Sequence, residues 1–264
     1  MKKKLPFIIV AVLLVIGGGI FAFSKMKSKP TAAEETTTKK RIEEPTNIIP
    51  VADRPYIKVI PHRDGHKVSL KIVAVKKDAT SVEYELEYQA GSLLQGAFGQ
   101  LDLDSLPAQK EILLGSCSAG GACTYHEDVR GGTLLTRFNG SQSYALKSRW
   151  KYIINSTNET AFSSQDAKFQ IESTDLAKQS YIVIFNTAGY PEGLKTEPVS
   201  ELYALTTDSK LGGTADLTIR AQEEGELTIM GYDGEEWTEF ETTTDGKMAT
   251  AEVELMELYT VTKK

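Results

Sequence analysis

The chain is poor in the residues that most often carry chemistry. Its 264 residues include two cysteines, three histidines and two tryptophans. It has no Gly-rich phosphate loop, no Gly-x-Ser-x-Gly elbow and no calcium loop of the EF-hand spacing. It lacks excess positive charge: the net charge is −6, and no basic stripe with interleaved aromatics appears. A nucleic-acid partner is therefore not expected. The apolar fraction of 41% suits a globular core and excludes a polytopic membrane protein. Helical periodicity is also missing after the first two dozen residues.

One long apolar run is present. Residues 1–6 supply three lysines, and residues 7–23 read FIIVAVLLVIGGGIFAF without a charge. A helix of that length, with its uncharged flank, spans roughly 28 Å, close to the hydrocarbon core of a bilayer. It is apolar on every face, unlike the helix of a soluble core. The expectation is a single-pass anchor that uses the lipid bilayer as its partner. A cleaved secretory signal is the alternative, with Ala22-Phe23-Ser24 as its cleavage site. No Leu-x-x-Cys lipidation motif follows. Three lysines flank each end, so the positive-inside count does not set the orientation. Both readings export what comes after.

Residues 24–55 are rich in Lys, Glu, Thr and Pro and lack apolar periodicity, which predicts a flexible stalk. From residue 56 the pattern is one of strands. Segments 56–60 and 67–75 flank Arg63-Asp64-Gly65-His66, a hairpin signal. Segment 81–88 alternates Val82, Tyr84, Leu86 and Tyr88 against Glu83, Glu85 and Glu87, the period of a half-buried strand. Further strands are expected at 111–114, 133–138, 144–154, 168–171 and 181–185. After about residue 197 the pattern resets, with strands at 201–205, 215–220, 226–232, 237–241, 248–255 and 259–262. Asp233-Gly234 and Asp245-Gly246 mark hairpins within it. Residues 200–264 hold five Lys/Arg against fifteen Asp/Glu, a net of −10, which leaves +4 for the rest. These patterns predict an all-β chain: two antiparallel β-sandwiches, at 56–190 and 198–264, with a soft boundary that could share strand edges.

Tyr232-Asp233-Gly234, Trp237 three residues on, and the final Leu258-Tyr259 strand carry a resemblance. The last quarter of the chain resembles ZU5-type and immunoglobulin-like β-sandwich modules at the ends of bacterial surface and secreted proteins. The segment GSCSAGGACTYHEDVRGGTLLTRF is similar to uncharacterised bacterial exported proteins. The resemblance implies a fold and an adhesive or envelope-accessory setting, with a protein or other envelope component as partner. It implies no activity and no cofactor.

Cys117 and Cys123 enclose Ser-Ala-Gly-Gly-Ala. An even cysteine count in an exported chain predicts a disulfide, and the glycines permit the tight loop. Two sharper readings compete. Cys117, Cys123 and His126 with His66 or His62 have the ligand types of a zinc site, though not the compact knuckle spacing. His62, Cys123 and Arg137 (or Arg130) are the residue types of a sortase-like cysteine transpeptidase, whose Thr-Leu-x-Thr-Cys strand is absent. Asp102 with Asp104, Glu127 with Asp128, and Asp233 with Glu235 and Glu236 are acidic groups of the kind that bind calcium, without a recognisable loop spacing. Trp150 and Trp237 read as core residues.

Overall fold

The computed structural model describes residues 45–264, and the expected anchor at 7–23 lies outside them. No helix among the described residues is long and apolar enough to cross a membrane. The chain runs through β1 (Tyr56–Pro61), β2 (Lys67–Ala74), β3 (Ser81–Ala90), β4 (Leu93–Asp102), β5 (Ala108–Leu113), β6 (Gly115–Cys117) and β7 (Cys123–Tyr125). It continues through β8 (Val129–Asn139), β9 (Tyr144–Ile154), β10 (Ala161–Ser163), β11 (Phe169–Glu172), β12 (Tyr181–Thr187) and β13 (Leu202–Thr207). It ends with β14 (Thr214–Arg220), β15 (Leu227–Tyr232), β16 (Trp237–Phe240), β17 (Thr243–Asp245), β18 (Met248–Glu254) and β19 (Leu258–Lys263). The described residues belong to one compact, all-β unit.

Alternation builds the outer strands. In β3, Val82, Leu86 and Tyr88 are buried while Glu83 is exposed. The hairpin at Gly65 has φ of +69°, which favours glycine, and its Cα sits against the Tyr181 ring, leaving no room for a Cβ. Apolar runs build the central strands. Every residue of β13 is buried, as is every residue of β12 except half-buried Tyr181. Such strands need cover on both faces, and the topology supplies it.

A nine-stranded antiparallel sheet has the order β16-β15-β19-β13-β12-β9-β8-β3-β4. Val183, Phe185, Leu202 and Ala204 on one face join a core with Ile57, Val59, Leu70, Ile72 and Ile112 of the three-stranded sheet β1-β2-β5. Ile182, Ile184, Tyr203 and Leu205 on the other face join a second core with Phe169, Ile171, Leu217, Ile219 and Val253 of the five-stranded sheet β10-β11-β14-β18-β17. The result is three β layers with two apolar cores. Strands from segments 56–190 and 198–264 lie in one sheet, joined where Ile184 faces Leu205 across the β12–β13 pair.

The fold begins earlier than the composition of 24–55 suggests. Ile49 is buried in the first core, and residues 51–53 form a single 3-10 turn. The Asn47 amide N–H donates to the Ala145 carbonyl at 3.0 Å. Arg54 donates from Nε to the Ile49 carbonyl and from Nη2 to the Asn47 carbonyl, at 2.9 and 2.8 Å. One buried isoleucine and an arginine latch thus order a stretch with no periodicity to announce it.

Candidate functional site

The cysteine loop is a short hairpin. Cys117 and Cys123 face one another across β6–β7 and are joined by a disulfide with Cα atoms 4.0 Å apart. Both are exposed. Gly121, with φ of +84°, lets Ser118 close the loop, its N–H donating to the Ala122 carbonyl at 2.8 Å.

The base of the hairpin is tied to the body. The His126 N–H donates to the Leu114 carbonyl, and the Leu114 N–H to the His66 carbonyl, each at 2.8 Å. The His66 ring stacks on Tyr125 at 3.7 Å between centroids. His126 Nδ1 lies 2.9 Å from the Tyr88 hydroxyl. The structure therefore brings His66 and His126 to the foot of the hairpin as packing and hydrogen-bonding groups. The sulfurs at its tip are bonded to each other. Among the described residues no three His, Cys, Asp or Glu side chains converge to hold a metal ion.

The other sequence-selected residues are dispersed. His62 Nε2 lies 2.7 Å from the Ser69 hydroxyl, beside the β1–β2 turn. Arg137 sits on β8 opposite Glu83 and Ala145. Cys123 has no free thiol to act as a nucleophile beside either. Asp233 accepts the Glu235 and Glu236 amides at 2.8 and 2.9 Å, and these bonds hold its carboxyl below the usual range. It is a turn cap. Trp150 is fully buried, with Nε1 donating to the Glu87 carbonyl at 3.1 Å. Trp237 is only half-buried and packs against Tyr232, ring centroids 5.3 Å apart.

Sequence reasoning missed a polar cavity of about 510 Å³. It lies where the 46–54 segment meets β9, the turn between β10 and β11, and the end of β12. Lys147 and Arg149 are alternate residues of β9, so they share a face about 7 Å apart. Lys168 approaches from the β10–β11 turn. All three are exposed, and none has a carboxylate partner among the described residues.

One of the cavity's two carboxylates, Asp166, is fully engaged. Asp166 Oδ1 accepts from the Ser164 hydroxyl at 2.5 Å and the Lys168 amide at 3.2 Å. Its Oδ2 accepts from Asn186 Nδ2 at 3.1 Å and the Tyr203 hydroxyl at 3.2 Å. Burial opposes ionisation of Asp166, but the four donors outweigh it and hold its pKa below the ordinary value. Burial, then the Asp166 charge, push the Tyr203 phenol well up. Burial lowers the pKa of the Arg54 guanidinium, and the charge of exposed Glu201 opposes this in part. Asn186 is 8% exposed, and its Oδ1 is buried with no hydrogen-bond partner.

The signal for this site was three cations in distant segments. Only the fold puts 147–149 beside 168 and 54. Comparison with protein-family models, with curated proteins and with solved structures gives no match for this chain.

Proposed function

We propose that this chain is a single-pass membrane protein that displays residues 45–264 outside the cytoplasm as a structural or interaction module of the cell envelope. The observation that carries this reading is the exposed Cys117–Cys123 disulfide. A solvent-facing disulfide is kept reduced in most cytosols and persists in oxidising compartments. The uncharged run at 7–23 supplies the anchor, and residues 24–44 the spacer from the bilayer. The two β-faced cores are the immunoglobulin-like sandwich modules in this reading, fused through a common sheet. The dispersal of His62, Cys123 and Arg137 gives no support to a transpeptidase.

Impermeant thiol labelling of intact cells tests the proposal. The expected result is no label before reduction and two labelled thiols per chain after it, with the label in the membrane fraction. Free thiols in untreated cells, or thiols that label only after lysis, overturn it.

A second reading, a solute-binding surface domain, is favoured by the cationic cavity.

A further inference from the structure

We propose that Ser163 and Lys151 form a nucleophile–base pair that hydrolyses an uncharged acyl ester in the cleft between β9 and the edge strand β10. This activity is separate from the envelope-module reading and does not rest on it.

Strand register sets the pair. Ser164 donates its N–H to the Phe169 carbonyl and Ser173 to the Thr160 carbonyl, at 2.9 and 2.8 Å. The ladder bonds between the β10 and β11 segments therefore fall on residues 160 and 164 and their even-numbered neighbours. Ser163, between them, turns its N–H and C=O away from β11, at the outer edge of the five-stranded sheet. Lys151 of β9 closes on that edge. Its Nζ lies 2.9 Å from the Ser163 carbonyl oxygen and 3.3 Å from Oγ. Both residues are half-buried, and both line a cleft of about 540 Å³.

A lysine serves as a base where its ammonium is disfavoured. No carboxylate among the described residues pairs with Lys151, and burial holds its pKa below the ordinary value. Glu159, Glu172 and Asp216 line the same cleft from the segment before β10, from β11 and from β14. All three are exposed, where water screens their effect on the ammonium. They still disfavour an anionic substrate. Ile153 and Ala161 beside Gln170 give the cleft a mixed lining, which suits a short acyl group on a polar alcohol.

The step balances without a further reagent. Ser163 Oγ bonds to the ester carbonyl carbon as its proton passes to Lys151 Nζ. The outward Ser163 N–H is the donor available to the developing oxyanion. The bond to the leaving oxygen then breaks, and that oxygen takes the proton from Lys151 and departs as an alcohol. Water attacks the acyl group next and gives a proton to Lys151. The carboxylic acid leaves as Ser163 Oγ takes that proton back.

The test uses the full chain in detergent, with a fluorophosphonate that modifies activated serines and with p-nitrophenyl acetate. Peptide mass spectrometry should find one phosphonyl adduct, on Ser163, and Ser163→Ala should abolish both the adduct and acetate turnover. Lys151→Met should slow both by about a hundredfold. Lys151→Arg keeps a cation beside the Ser163 carbonyl but supplies no base at neutral pH, so it should slow both as far with its melting temperature unchanged. If Lys151→Met melts below the assay temperature, Lys151→Arg decides. No adduct on Ser163, turnover unchanged in Ser163→Ala, or rates in Lys151→Arg equal to those of the unmodified chain overturns the proposal.

Discussion

Asp166 shows how one residue organises the interior of this fold. Its four donors come from the β10–β11 turn, β12 and β13, so one carboxylate links the five-stranded and nine-stranded sheets. Its folded pKa is depressed, so it adds stability that is present above its unfolded pKa of about 3.9 and is lost as pH falls through the folded value. Asp166→Asn should flatten the acid limb of a stability–pH profile below about pH 4 while lowering stability at neutral pH. Denaturant melts at a series of pH values measure both. Lys58 makes the opposite case. It is 8% exposed and reaches Glu257 at 2.6 Å, so Glu257→Gln leaves a buried ammonium without its counter-ion. A loss of about 1–3 kcal/mol is expected, smaller than for a fully buried pair because the Glu257 side chain is 35% exposed. The Cys117–Cys123 pair was legible in the sequence because the chain has only two cysteines and a Gly-Gly spacer lets them meet. Asn186 was not legible, since nothing near it in sequence tells that its amide faces Asp166.

Elements were legible in proportion to how one-sided their burial is. β9 spans 144–154, as expected from the sequence, because its face carrying Leu146, Ser148, Trp150 and Tyr152 is buried while Lys147 and Arg149 face solvent. β4 escaped notice because it buries little and carries Gly96 and Gly99. It nonetheless forms an edge of the nine-stranded sheet, and residues 93–101 carry no charge. Phe98 is 85% exposed there, and Leu93 and Leu94 are exposed further along the same strand. A long uncharged edge is a template for unwanted pairing. Phe98→Lys should leave stability within about 0.5 kcal/mol and raise the temperature at which light scattering begins. β12 and β13 read only as apolar runs. Period alone does not tell that each of their faces belongs to a different core.

At the scale of the molecule, the sheet order was the part sequence could not supply, since pairing depends on which distant strands share an edge. Its consequence is cooperative. Both cores hang on β12 and β13, so removing either strand exposes both. Phe169→Ala, in the second core, should cost about 3–5 kcal/mol. The fluorescence of Trp150, in the first core, should shift to the same lower midpoint as far-UV circular dichroism. Separate midpoints would show two independent folding units. The disulfide carries a different consequence. Its ring encloses only residues 118–122, so the loop-entropy contribution is about 2–3 kcal/mol and concerns one hairpin. A peptide bond cut inside that ring, however, leaves the chain in one piece. A protease nick there would be silent on a non-reducing gel and would appear as two fragments once reductant is added, so the exposed hairpin preserves covalent continuity at an accessible point of attack.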